Sequence, residues 1–562
     1  MNEARAQTPR WALPLARLGL QPWDLAALLM CLVAFWHGWP ATCDLAWPPD
    51  FDLYRDVPIA QTMLDGGGLA DPAYPGERLW YNPLVPAIIA GLSRLAGQPV
   101  PAVYARAGAY LNLLAPLCFY LAVALLFKDR LIALASTLAF LFVTCQHPPS
   151  RACAAYSPWL FTANFTQAGF YLTLALYERA LRRSRRRDFL PVGLALGLAF
   201  LGHTAPALIL GSIVALHTVW TALRSLDRTL SSPQLHESIV RLGIITGAAL
   251  AVGAPYLRII LCHYRLDILN PAPSSWIFSR LEIENFLALV RANLSLPNLV
   301  ALVGGIVLLA RPRDRVAHLL TLWLIVCLGF IGLGYGSQLA ARLDLPVFYV
   351  VPSIHFLFYL KALVSALFGY GLLALIRFVL EFVKYLLPRL HGCFPGLLQT
   401  RVERVALILL ALAAALWSYG PFVRQPAFNA VRERAQTVVP PGWRNAYTWI
   451  REHTSPSDGF LAPPYFGLHI VTPAGRKVVA LKPVFSNPFI DAASRLEHNV
   501  AMYEYLQAGD GERFAILASA YEVRYVVTID NAQLAAHNLP LEPVFTDTGV
   551  TVYAVSRPLL PT

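Results

Sequence analysis

Long apolar stretches separated by short polar turns run from residue 23 to about 420, and then stop. A stretch of about 20 apolar residues is what a helix needs to cross the hydrocarbon core of a bilayer. The pattern predicts spans at about 23–40, 103–127, 131–147, 157–181, 238–262, 298–310, 316–335, 353–378 and 405–420. Residues 189–222 are apolar but interrupted by Gly202-His203-Thr204-Ala205-Pro206, which predicts two short spans with a break between them. Backbone freed at such a break has to be satisfied by protein or water, so it should face away from lipid. The total is about eleven spans.

Three polar stretches interrupt this pattern: 41–82, 263–297 and 336–352. Residues 83–96 are apolar but too short to cross, and Asn82-Pro83 reads as a cap followed by proline at the first helical position, so a helix lying on the membrane surface is expected there. The second polar stretch carries an amphipathic segment, Leu281 to Leu294. Beyond residue 420 the sequence is of ordinary globular type. Helices are expected at Trp443–His453 and Asp491–Gln507, and strands at Arg476–Leu481, Arg524–Ile529 and Gly549–Val555. The expected organisation is a helical membrane domain over 1–420 and a small α/β domain over 421–562.

Composition agrees, with 57% hydrophobic and 14% charged residues. The net charge of +12 could indicate a nucleic-acid partner, but residues 421–562 hold 12 basic and 12 acidic side chains and are neutral. The excess sits in short loops of the membrane part: Arg5/Arg10/Arg17, Lys128/Arg130, Arg179–Arg187, Arg311/Arg313/Arg315 and Lys384–Arg404. These fall on alternate sides of successive spans, which places them in the cytoplasm and puts 41–82 and the tail outside. Lysine is scarce, 5 against 40 Arg, a usage found in GC-rich bacterial genomes, so the expected location is a bacterial cytoplasmic membrane with a periplasmic tail. The eight cysteines show no CxxC or Cys/His ligand spacing, which excludes a zinc or redox site of that kind.

The richest chemistry lies in the first polar loop. It reads Pro49-Asp50-Phe51-Asp52-Leu53-Tyr54-Arg55-Asp56, and further on Trp80-Tyr81-Asn82-Pro83-Leu84. At these residues the chain resembles the GT-C superfamily, membrane glycosyltransferases that use polyprenyl-phosphate sugars and include protein O-mannosyltransferases, aminoarabinose transferases and oligosaccharyltransferase catalytic subunits. Asp52-x-x-Arg55-x-x-x-Ile59-x-x-x-Met63 follows the aminoarabinose-transferase-like pattern at the same spacing. Trp80-Tyr81-Asn82-Pro83-Leu84 is similar to that family's aromatic-proline segment, while Leu53 stands where the family usually has Glu.

The resemblance implies an inverting sugar transfer at the outer membrane face, with a lipid, glycan or protein as acceptor. A prenyl-phosphate donor already has a good leaving group, so one base for the acceptor hydroxyl is enough, with cations to meet the charge growing on phosphate. Asp52 is the expected base. Asp56 is a second candidate, or a helix N-cap. Arg55, Arg342 and Lys361 are candidates for the donor phosphate, and Tyr54, Trp80, Tyr81 and His355 for contacts with donor or acceptor. Asp50 and Asp52 form a D-x-D that could hold Mg or Mn. His203 reads as a hydrogen-bonded interfacial group, and Arg106, Arg258 and Arg265 are further cations on the outer side. A flippase of lipid-linked sugars would show inverted repeats with polar residues in the spans, and neither is present. A non-catalytic membrane assembly protein with the same loop is the remaining alternative.

Overall fold

The computed structural model describes residues 21–143, 156–226, 233–275, 286–292, 294–311, 314–345, 351, 353–386, 426–529 and 541–556. Among these, six helical stretches are long and apolar enough to cross a membrane: Pro22–Ala41, Val100–Phe127, Thr204–Leu223, Leu235–His263, Arg315–Arg342 and Ile354–Phe382. Shorter apolar helices accompany them at Leu84–Ala96, Arg130–Val143 and Leu296–Leu309. The chain is therefore a multi-pass membrane protein. The expected span at 405–420 lies outside the described residues.

The individual helices are α1 (Pro22–Gly38), α2 (Phe51–Leu64), α3 (Leu84–Ala96), α4 (Val100–Leu111), α5 (Leu114–Phe127) and α6 (Arg130–Leu138). Then follow α7 (Gln167–Arg183), α8 (Leu190–Gly202), α9 (Thr204–Leu226), α10 (Pro233–Arg258), α11 (Leu296–Leu309), α12 (Arg315–Arg342) and α13 (Ile354–Leu386). The break expected near 202–206 is there, between α8 and α9, where His203 adopts extended backbone. Residues 336–342, expected in a loop, continue α12 to Arg342, because Ser337-Gln338-Leu339-Ala340-Ala341 carries no helix breaker. The fourth expected span starts later than its apolar run, at Gln167, because the preceding segment is held by Asn112. The Asn112 side chain donates to the carbonyls of Ser157 and Trp159, both at 2.8 Å, where α4 gives way to α5. Asn82 does not cap α3; Pro83 occupies that position and Asn82 donates instead to the Phe200 carbonyl at 2.7 Å, tying the loop to the end of α8.

Lipid gives no hydrophobic drive to bring helices together, so close backbone approach at small residues does that work. A Cβ on Gly304 of α11 would lie 2.1 Å from the Leu367 carbonyl oxygen of α13, and one on Gly371 would lie 2.2 Å from the Val300 oxygen. The largest buried cluster, including Phe119, Phe140, Phe170, Tyr171, Trp323 and Tyr359, fills the centre of the bundle.

The tail begins, among the described residues, with α14 (Pro426–Thr437) and α15 (Pro441–His453). Strands β1 (Gly459–Leu461) and β2 (Lys477–Val478) come next, then α16 (Ala492–Ala508), α17 (Gly511–Ala520), β3 (Val523–Ile529), β4 (Leu541–Asp547) and β5 (Val550–Val555). The sheet order is β2-β1-β3-β5-β4, with β1 parallel to both neighbours and β5 antiparallel to both of its own. The expected helices and the strands at 524–529 and 549–555 are found within a residue or two. The strand expected over 476–481 is cut to two residues, since Val478 donates to Ala73 of the first loop at 2.9 Å and Val479 to Phe460 at 3.1 Å.

These close approaches are testable. A Cβ on Gly108 would sit 2.3 Å from the Pro158 carbonyl oxygen, whereas one on Gly91 meets nothing within 4 Å. Gly108→Ala should therefore lower the melting temperature of the purified protein, by overpacking of about 1–3 kcal/mol. Gly91→Ala should raise or preserve it, as alanine is the better helix former by about 0.5–1 kcal/mol. Equal effects of the two substitutions would contradict the packing of α4 on the 156–161 segment.

Candidate active site in the first loop

Helix α2 is the centre of the site. Asp50 caps it, its carboxylate accepting the backbone N–H of Asp52 at 3.1 Å. Leu53, Val57 and Ala60 form one stripe that packs into a cluster with Val85, Ile89, Tyr104 and Trp159. On another side Tyr54, with Phe51 beside it, enters the tail's core together with Trp47, Ala73, Tyr74, Ile450, Phe466 and Ile470. The helix is thus held between membrane helices and the tail, and only part of its first turns stays accessible.

Asp52 and Arg55, three residues apart, share the half-buried face of those turns. Arg55 Nε donates to Asp56 Oδ1 at 2.8 Å, and the guanidinium carbon lies 3.7 Å from the centroid of the Tyr81 ring. Burial works against the charge on Arg55, but Asp56, Tyr81 and Asp52 outweigh it and hold the guanidinium above its ordinary range. Burial pushes the Tyr81 phenol up, so it stays protonated. Asp56 is 1% exposed. Its second oxygen accepts Thr162 Oγ1 at 2.9 Å and Tyr104 OH at 3.4 Å.

This corrects the capping expectation for Asp56: Asp50 caps α2, while Asp56 is walled in and serves as the anchor of Arg55. Tyr54 is also displaced from its expected role. It is fully buried, its ring centroid 4.3 Å from that of His469, and burial raises its phenol well above the ordinary value. It docks the tail. Burial lowers His469 to about 4, so that ring is neutral at physiological pH.

Trp80 and Tyr81 pack edge to face at 5.6 Å, and Trp80 joins Tyr54, Arg55 and Asp71 around a cavity of about 20 Å³, room for one water. His355, at the start of α13, and His203, at the α8–α9 break, lie with ring centroids 4.5 Å apart and within the field of Arg55. The structure therefore brings Asp52, Arg55, Trp80, Tyr81 and His355 together. Arg342 ends α12, and Lys361 lies further along α13. Arg106 is structural, its Nε donating to the Leu45 carbonyl at 2.8 Å. Asp50 is engaged as the cap, and among the described residues no group of three or more His, Cys, Asp or Glu is placed to hold a metal.

Sequence reading missed the groups that fasten the loop to the tail. Asp71 accepts the backbone N–H groups of Ala73 and Tyr74 at 2.8 and 3.0 Å and Asn487 Nδ2 at 3.0 Å, while burial pushes its carboxyl up to about 6. Lys477 Nζ donates to the Asp71 carbonyl at 2.5 Å, Arg451 pairs with Asp65 at 2.7 Å, and Tyr74 bonds Ser486. Gly475, at φ +79°, sits where a Cβ would come 2.6 Å from Asp65 Oδ2. These partners lie hundreds of residues apart, and no local pattern announces them.

A bundle of membrane helices, a first loop packed as a helix on it and a small sheet domain over that loop make up a fold found in solved membrane glycosyltransferases. Three solved structures share it. ArnT from Cupriavidus metallidurans bound to undecaprenyl phosphate matches with a TM-score of 0.51 at 15% identity, over 95% of this chain and 99% of that one. The Archaeoglobus fulgidus oligosaccharyltransferase tethered with an acceptor peptide matches at 0.50 and 15% identity, over 98% of this chain and 75% of its own. Mycobacterial arabinofuranosyltransferase AftD matches at 0.50 and 13% identity, over the whole of this chain but 41% of its own length. The fold is thus GT-C. No family model and no curated protein matches the sequence.

Removing one partner of a buried ion pair costs about 3–5 kcal/mol. Asp56→Ala should therefore lower the melting temperature by several degrees and free Arg55, whereas Asp56→Asn keeps the shape and part of the bonding and should cost less. Thermal unfolding of both variants in detergent checks this, and a neutral Asp56→Ala would contradict the anchoring role.

Proposed function

We propose that this protein transfers a sugar from a polyprenyl-phosphate donor to an acceptor hydroxyl or amide on the tail side of the membrane, with inversion. The observation that carries the proposal is the pairing of a half-buried carboxylate, Asp52, with a fixed, permanently charged guanidinium, Arg55, on one face of α2. Asp52 takes the acceptor proton as the acceptor atom attacks the anomeric carbon. The bond from that carbon to the phosphate oxygen breaks, and the electron pair leaves with the prenyl phosphate, whose growing charge Arg55 meets. Because Asp56 and Tyr81 hold Arg55 in place, little reorganisation is needed during transfer. The lipid-phosphate ligand in the ArnT structure and the acceptor peptide in the archaeal transferase support a donor and acceptor of these kinds. Trp80 and Tyr81 offer flat faces for a sugar ring, with His355 alongside.

General-base catalysis is worth about 10²–10⁴-fold. Asp52→Asn should lower transfer from a prenyl-phosphate sugar by that order, with unchanged expression and melting temperature. Full activity in Asp52→Asn would remove it as base, and absence of transfer by the wild type across a broad donor and acceptor panel would favour the non-catalytic alternative.

The proposal also places the tail in the periplasm of a bacterium and the Arg182–Arg187 turn in the cytoplasm. In a cysteine-free background, an impermeant thiol reagent added to sealed cells should label Ser457→Cys and spare Ser184→Cys, both of which are exposed. The reverse pattern would invert the topology and move the reaction to the other side.

A further inference from the structure

On the face of the bundle opposite α2 and the tail lies a second cavity, of about 520 Å³, between the ends of α5, α7 and α11, the Tyr370–Arg377 stretch of α13, and the starts of α6 and α12. Five basic side chains line it against three carboxylates. Two of those carboxylates are accounted for. Asp129 caps α6, accepting the backbone N–H groups of Leu131 and Ile132, and Asp314 caps α12, accepting that of Val316.

The third, Glu178, is different. Its Oε1 accepts from Arg182 Nε at 2.6 Å and Arg315 at 3.0 Å, but its Oε2 is buried with no hydrogen-bond partner. A buried carboxylate oxygen left unpaired is costly, and because Glu178 is one of the residues lining the cavity, its side chain marks a place for a donor. Above it, Lys128 and Arg311 line the cavity with no ion-pair partner among the described residues. The site therefore asks for an anion that also carries a hydrogen-bond donor a few ångströms away. Its position at the helix ends is the level at which lipid headgroups sit, and a basic pocket between helix ends at that level suits an anionic headgroup.

We propose that this cavity binds the headgroup of an anionic phospholipid of the phosphoglycerol type. The phosphate lies against Arg311 and Lys128, and a headgroup hydroxyl donates to Glu178 Oε2. The ligand joins six helices, so its occupation stabilises the bundle without touching Asp52.

The test uses the full chain, purified and delipidated in detergent. Short-chain phosphatidylglycerol should raise its melting temperature by several degrees, and phosphatidylcholine of the same chain length should not. In the double variant Lys128→Gln/Arg311→Gln the basal melting temperature should be unchanged, and the lipid concentration needed for half the shift should rise about tenfold or more, the scale of losing a charge-assisted contact. Glu178→Gln should weaken the response further if it folds; the double variant decides the matter if it does not. Identical titrations for wild type and the double variant would overturn the proposal. A full shift from inorganic phosphate alone would assign the cavity to a soluble anion and overturn the lipid.

Discussion

One buried carboxylate holds the arrangement on the tail side together. Asp56 lies inside a helix with almost no access to water, and its charge is tolerable only because Arg55, Thr162 and Tyr104 all donate to it. Those three partners come from α2 itself, the segment before α7, and α4. Satisfying Asp56 therefore fixes where the loop helix sits on the membrane bundle, and fixes the guanidinium beside Asp52 in the same step. The pair is weak evidence for stability taken alone, because desolvation offsets most of the attraction. Its consequence is geometric: Arg55 cannot turn to solvent, since Asp56 binds its Nε and Tyr81 covers its flat face.

The tail completes this clamp from the other side. Tyr54 and Tyr74, both fully buried, carry the loop into the core of the tail, and the Asp71–Asn487, Arg451–Asp65 and Lys477–Asp71 contacts ring that apolar centre. Loop and tail share one core, so the tail acts as a fixed roof on the loop rather than an appendage. The segment after α10 reinforces it: Tyr264 bonds Arg78 and Asn487 together, and Asn270 donates to the Pro483 carbonyl at 2.8 Å. The two ends of the molecule thus differ in kind. The roofed face is packed around a few named acids and cations, and the opposite face holds a basic vestibule lined by Glu178, whose buried Oε2 has no hydrogen-bond partner.

Much of this was legible in the chain. Hydropathy fixed the membrane character, the break at His203 and the neutral α/β tail, because lipid imposes a one-dimensional rule on composition. Asp52, Arg55 and the Trp80-Tyr81 segment were visible because they lie close in sequence and carry a recurring spacing. Tertiary structure alone decided the roles of their neighbours. Asp50, just before α2, and Asp56, within it, are the same residue type, yet one caps and the other, held by Thr162 and Tyr104 that folding brings in, anchors. The same holds for Asn82, Asn112, Asp71 and Glu178, whose partners or lack of partners are set by backbone that the sequence places far away. Local pattern encodes which face of a helix is apolar; which buried polar atom meets which donor depends on how the faces are assembled.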